Sequence, residues 1–163
     1  MSKPPYNLEE SLGYVIARAG RSLGARLNRN FQARGFDVTC EQWAILVNSA
    51  EKNGQTQQEL AGHTCKDKTS MTRLIDGMEK RSLVVRIPDK QDKRKKLIYL
   101  TAKGKEFQQK LLAIVRHTVM EAEQGIDPKD IKVCKDVLCK VYGNLLDLNQ
   151  KSTVATATKK KKT

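Results

Sequence analysis

Aromatic residues are scarce in this 163-residue chain, with one tryptophan, four tyrosines and three phenylalanines. A core must therefore be built mainly from Leu, Ile, Val, Met and Ala. Histidine is nearly missing, with only His63 and His117, and the four cysteines (Cys40, Cys65, Cys134, Cys139) form no Cys-x-x-Cys pair. No zinc-site spacing results, so neither a metal nor a cofactor is expected. In a reducing compartment, free thiols are the default. No apolar run approaches the ~20 residues of a membrane span. The opening Met1-Ser2-Lys3-Pro4-Pro5 has no apolar stretch of the secretory kind. The expectation is a cytoplasmic protein without a membrane partner. No Ser/His/Asp set, phosphate loop or clustered acid pair is visible, which argues against an enzyme.

What the chain has is positive charge. The formal net charge is +13, which points to a polyanionic partner. Residues 66–105 hold thirteen Lys/Arg against five Asp/Glu, and the last thirteen residues add five lysines and no acid. Outside these stretches the charges nearly balance. A charge run is usually a solvated face, but here the excess gathers on one substructure.

The apolar positions Leu8, Leu12, Ile16, Ala19, Leu23, Leu27 and Phe31 form one stripe of a long helix that Gly35 ends. Thr39-Cys40-Glu41-Gln42 reads as a capping box opening a helix with Trp43, Leu46, Val47 and Ala50 inward, stopped by Asn53-Gly54. Thr56-Gln57-Gln58-Glu59 is a second box. A helix from about Asp67 to Arg81 turns Met71, Leu74, Ile75 and Met78 to one side. Its other side carries Thr69, Arg73, Asp76 and Lys80, flanked by Ser70 and Thr72. Leu83 to Ile87 reads as a strand stopped by Pro88, with Leu97 to Leu100 as its antiparallel partner. The loop between them is strongly basic. Thr101 caps a helix through about Gln124, with Phe107, Leu111, Val115, Val119 and Ala122 in line.

Pro128 occupies the favoured first position of the last helix. There Ile131, Cys134, Leu138, Val141, Leu145 and Leu148 step by 3, 4, 3, 4, 3, a heptad seam that calls for a partner helix. With Leu12 and Ile16 of the first helix, these are the expected dimerisation residues. The chain thus divides into a flexible arm (1–7), one domain (8–149) and a disordered Lys-rich tail (150–163). Within the domain, a DNA-binding lobe spans about 39–101 and dimerisation helices span about 8–34 and 102–148. Capped helix, polar-faced helix and charged hairpin, in that order, make a winged helix-turn-helix. The fold class is mainly α with a small β-wing.

Two stretches also resemble the MarR family of bacterial transcriptional regulators. One is Thr69-Ser70-Met71-Thr72-Arg73-Leu74-Ile75-Asp76-Gly77-Met78-Glu79-Lys80-Arg81-Ser82-Leu83-Val84, similar to a recognition helix and its exit into the wing. The other is Asp92-Lys93-Arg94 followed by Leu97-Ile98-Tyr99-Leu100-Thr101-Ala102-Lys103-Gly104, similar to the family's Asp-x-Arg wing tip and its Leu-Thr-x-x-Gly helix start. The resemblance covers about residues 8–148. It implies a homodimer with six helices and a small sheet per subunit, binding a palindromic operator in double-stranded DNA. It also implies release by a small-molecule effector or by thiol oxidation. Two positions depart from the pattern: Ser82 stands where the family usually has Gly, and Cys65 where the preceding turn often has Gly.

Thr69, Ser70, Thr72 and Arg73 are the candidates for contact with the major groove, and Arg73 can hold guanine bidentately. The alternative for Arg73 is a pair with Asp76. Asp76 itself repels phosphate and is expected to orient Arg73 or Lys80. In the wing, Asp92 can fix Arg94 for a narrow minor groove, while Lys80, Lys90, Lys93, Lys95 and Lys96 complete the set of DNA-binding candidates. Cys40, beside a helix N-terminus, and Cys65, next to the reading helix, are the redox candidates. The expected function is a dimeric, sequence-specific regulator of transcription, a repressor released by an effector. An architectural DNA binder with little sequence choice, a thiol-based sensor and a protein-interaction module are the competing readings.

Overall fold

The computed structural model describes residues 7–64 and 67–160, and the side chains of all of these except His63 and 147–160. Six helices and three short strands follow one another among the described residues: α1 (Leu12–Ala33), α2 (Cys40–Glu51), β1 (Gln55–Thr56), α3 (Gln57–Thr64), α4 (Lys68–Lys80), β2 (Val84–Pro88), β3 (Lys96–Leu100), α5 (Ala102–Glu123) and α6 (Pro128–Lys160). The strands make an antiparallel sheet in the order β1-β3-β2. This is a winged helix-turn-helix. The chain divides into two compact units, Met1–Ala122 and Glu123–Thr163.

The first unit has its core where α1, α2, α4, the sheet and α5 contribute Phe31, Ile45, Leu46, Met71, Ile75, Met78, Ile98 and Leu111. Each helix is delimited by local chemistry. α1 starts at Leu12, not Leu8, because the Ser11 hydroxyl accepts from the Tyr14 amide and donates to the Leu8 carbonyl. Leu8 and Leu12 are consequently exposed, and the buried stripe is Leu27, Asn30 and Phe31. At its other end Gly35 takes φ of +77°, and the amides of Gly35 and Phe36 reach back to the carbonyls of Gln32 and Phe31. That is a Schellman stop.

Both bonds of the Thr39–Gln42 capping box are present. So are those of the second box, between Thr56 and Glu59. The inward face of α2 is Ile45, Leu46 and Ser49, while Ala50 faces solvent. In α5 the buried residues are Gly104, Leu111, Ile114 and Thr118. The stripe expected there advanced by fours, and steps of four drift about 40° each around a helix. Alternating threes and fours stay on one face, and those are the positions buried.

β1 is absent from the sequence reading. It pairs Gln55 with Ile98 and Thr56 with Leu97. The Gln55 side chain donates to the carbonyls of Asn48 and Lys52, so it also closes the end of α2. Gly54, at φ of +77°, lies under the Tyr99 ring, where a Cβ would sit 2.8 Å from the phenol oxygen. β2 runs one residue past its expected stop. Pro88 ends an edge strand, where a missing amide costs the ladder nothing.

In the second unit, the Asp127 carboxylate accepts from the Lys129 amide and Pro128 is the first helical residue of α6. The helix continues to Lys160 and so runs into the stretch expected to be a disordered tail. Once a helix is nucleated, adding residues costs little. Residues 1–6 of the expected arm and 161–163 of the tail lie outside the described residues.

Candidate nucleic-acid interface

The reading helix is set by its own first turn. The Asp67 carboxylate accepts from the Ser70 amide (2.9 Å) and the Ser70 hydroxyl (2.6 Å), and these bonds hold its carboxyl below the usual carboxylate range. On the next turn, the Thr72 hydroxyl donates to the Lys68 carbonyl and accepts from the Gln57 amide group of α3. Two of the four hydroxyl and guanidinium candidates are therefore engaged inside the fold. Thr69 and Arg73 are exposed, and Arg73 has no ion-pair partner among the described residues. Arg73 borders a cleft of about 300 Å3 with Leu74 and Ser70 of α4 and Glu41 and Gln42 at the start of α2.

Asp76 is placed differently from the expectation. It pairs with neither Arg73 nor Lys80; its carboxylate accepts from Arg86 of β2 at 2.6 Å. Glu79, one turn on, accepts from the same guanidinium and from the Arg86 backbone amide at 3.1 Å. A strand arginine at the root of the wing outcompetes the helix-surface cations because it approaches both carboxylates at once. Lys80 remains exposed.

The wing loop, Asp89 to Lys95, has internal order. The Asp89 carboxylate accepts from the amides of Gln91 (2.7 Å) and Asp92 (2.9 Å), which lowers its pKa. The Asp89 amide donates to the Lys95 carbonyl, and the Lys95 amide to the Asp92 carbonyl. Asp92 then accepts from both the Arg94 backbone amide (3.2 Å) and its Nε (3.1 Å). The Arg94 side chain is 92% exposed and the Asp92 side chain 32% exposed. A guanidinium is thus presented to solvent in a fixed orientation, and Lys90, Lys93, Lys95 and Lys96 surround it, all exposed.

The exit from α4 turns at Ser82, where the family usually has Gly. Ser82 itself adopts the left-handed conformation, at φ of +57°. Its amide donates to the Glu79 carbonyl and the Leu83 amide to that of Met78. The Thr101 hydroxyl donates to the Ser82 carbonyl (2.6 Å) and accepts from the Gly104 amide (2.9 Å), so one side chain ties the α4–β2 turn to the start of α5.

The MarR family model matches residues 38–96, the stretch from α2 to the start of β3. That stretch, and the winged helix-turn-helix around it, is what the chain shares with the MarR family. The HTH-type transcriptional regulator YybA of Bacillus subtilis is 28% identical over 131 residues, which cover 80% of this chain and 84% of that protein. A MarR-family transcriptional regulator from a Rhodococcus species superposes with a TM-score of 0.75 at 25% identity, covering 83% of this chain and 94% of the other. The repressor CouR, solved on a 23-mer DNA duplex, shares the fold at a TM-score of 0.75 and 20% identity, over 87% of this chain and 99% of that one. CouR from Rhodococcus jostii has also been solved with p-coumaroyl-CoA (TM-score 0.72, 24% identity, 83% and 94% covered).

The remaining candidates are scattered. Of the dimerisation set, Leu12, Cys134, Leu138 and Leu145 are exposed in the single chain and Ile16, Ile131 and Val141 are half-buried; the Leu148 side chain lies outside the described residues. Cys40 is half-buried. Its amide donates to Asn28 (2.7 Å) and its thiol to Glu41 (3.3 Å). Cys65 lies outside the described residues. Trp43 packs against the core with its ring 6.5 Å from that of Phe31.

Three residues of the interface were missed in the sequence: Gln57, Arg86 and Asp89. Asp89 had a signal, since an Asp two residues before a turn readily bonds the amides ahead of it. Gln57 and Arg86 act across elements and carried none. No helix among the described residues is long and apolar enough to cross a membrane.

Proposed function

We propose that this MarR-type regulator is a homodimeric, sequence-specific repressor of transcription that binds a palindromic operator in double-stranded DNA. Each subunit lays α4 in the major groove, with Arg73 and Thr69 at base edges. The wing enters the neighbouring minor groove, led by Arg94, and the loop lysines draw in the phosphate backbone. The observation that carries this reading is the exposed Arg94 guanidinium held by Asp92, beside a reading helix on which Thr69, Arg73 and Lys80 stand exposed. A cation ordered in advance enters a narrow groove at a lower entropic cost.

Dimerisation is supported by apolar side chains exposed in the single chain, among them Leu12, Val15, Val137, Tyr142 and Leu145. Two reading helices one helical turn apart then fit two half-sites about 34 Å apart. A small-molecule effector favours the dimer state in which that spacing fails. The complex of CouR with p-coumaroyl-CoA supports such a ligand in a protein of this fold.

The test is selection of duplexes from a random pool by the purified protein at physiological salt, followed by affinity measurement. A palindrome is expected. Enrichment of no sequence would favour the architectural reading, and a monomer in solution would remove the two-half-site geometry. R94A should weaken operator binding roughly tenfold, the worth of one charged hydrogen-bonding group, with an unchanged melting temperature. An unchanged dissociation constant would refute the wing assignment.

A further inference from the structure

The bonds at the root of the wing have a consequence beyond the contacts at its tip. We infer that Arg86 is a positioning residue, holding the wing at a fixed angle to the reading helix through Asp76 and Glu79; the inference rests on the DNA-binding reading above. Arg86 sits in β2 opposite Ile98. Its side chain is only 17% exposed, and it spans two carboxylates a single helical turn apart on α4. β2 is an edge strand of the sheet. Its backbone amide at this position is taken by Glu79, so the helix and not another strand satisfies the open edge. A planar guanidinium with two acceptors, plus a backbone bond to one of them, leaves little freedom of rotation.

The leverage is large. From Arg86 to Asp92 the hairpin reaches at most ~20 Å at about 3.3 Å per residue. A tilt of about 15° at the root then moves the tip by ~5 Å, against a minor groove about 6 Å wide. Core packing and the α4–β2 turn seat the base of the sheet on α4, and the Arg86 bonds add polar ties between β2 and α4, so the aim of Arg94 depends on this root. The same contacts cover two carboxylates that would otherwise stand unneutralised on the helix offered to DNA.

Positioning and charge masking predict opposite signs for one substitution. E79Q removes a negative charge near the phosphates, so masking alone predicts tighter binding. Loss of the clasp predicts weaker binding. With the full chain and the operator duplex recovered by selection, at fixed salt, E79Q is expected to weaken binding at least fivefold. R94A, costing about tenfold in the wild type, should add less than twofold in the E79Q background. R73A should cost the same in both. R86K, which keeps the charge and loses the fork, should fall between wild type and E79Q.

Tighter binding by E79Q, or a full tenfold loss from R94A in both backgrounds, would overturn the inference. A second arm needs no DNA: the β2 amides should exchange their hydrogens at least threefold faster in E79Q, with those of α5 unchanged. Unaltered β2 exchange would also overturn it. If the wild type binds no duplex, the DNA-binding reading fails while the exchange arm still reports on the clasp.

Discussion

At Ser82 the chain leaves α4 with φ of +57°, where the Cβ of an L-residue crowds its own backbone. That crowding costs about 1–2 kcal/mol relative to the right-handed region. Glycine removes the crowding and adds flexibility to the unfolded chain, which costs about 0.4–1 kcal/mol. Nothing else is lost. The Ser82 side chain is exposed and its hydroxyl has no partner among the described residues, while the bonds of the turn use only its backbone. S82G should therefore stabilise the fold by about 0.5–1 kcal/mol, a rise in melting temperature of about 1–4 °C for a chain of this size. Urea denaturation should show a higher midpoint with an unchanged slope. S82A keeps the Cβ and should stay within about 0.5 kcal/mol of wild type. S82V, with a branched Cβ in the same conformation, should melt lower. A melting temperature for S82G equal to or below that of wild type would refute the assignment of strain to this turn.

G104A should act in the opposite direction: its Cβ would sit 2.0 Å from the Leu83 carbonyl oxygen, and backbone cannot swing aside as a side chain can. A loss of about 3 kcal/mol or more is expected in urea denaturation. Ser49 is fully buried and its hydroxyl oxygen has no partner among the described residues, so S49A should gain about 1 kcal/mol, read as a higher thermal midpoint. Glu121 accepts from Arg26 and Asn30, chiefly Arg26, and its pKa falls from the ordinary 4.5 to about 2. A carboxyl with a depressed folded pKa contributes stability that is complete above about pH 4.5 and drains away as pH falls toward about 2. E121Q should lack that component, so its denaturation midpoint should change less between pH 5 and pH 2 than the wild type's. Parallel pH profiles would contradict the bond to Arg26.

What could be read from the sequence was what neighbours along the chain decide. The caps at Thr39, Thr56, Asp67 and Thr101, the stop at Gly35 and the order of helix, helix and hairpin depend on residues within a turn of one another, and each is found in the fold. Three kinds of feature were out of reach. The rotation of α5 depended on whether the stripe advanced by fours or by alternating threes and fours, and both sets of positions are apolar enough to pass. β1 is two residues long and exists only because β3 offers it an edge. Arg86, Gln57 and Gln55 make bonds to other elements, and no spacing rule signals a partner seven to fifteen residues away. Ser82 is a different case. A position where the family usually has Gly is held by a residue other than Gly in the left-handed conformation. The Schellman bonds and the Thr101 hydroxyl hold it there.

The five acids within residues 66–105 show how a segment with thirteen cations can stay folded and still offer its charge. Asp67 caps α4, Asp76 and Glu79 hold Arg86, Asp89 gathers the amides of the wing loop, and Asp92 orients Arg94. Each is committed to a bond that shapes the interface. Among the described residues, two of the basic side chains, Arg86 and Arg94, are held by acids of this segment, and one of these still points into solvent. The long-range field still follows the net charge of the segment; what this placement spares is the short-range contact of the exposed lysines with phosphate. Carboxylates paired instead with the exposed lysines would occupy the groups that meet phosphate and leave the wing without a frame. Architecture and phosphate contact are thus assigned to different residues of the same short segment. That division is what allows a loop carrying Lys90, Lys93, Lys95 and Lys96 to keep one conformation against its own repulsion.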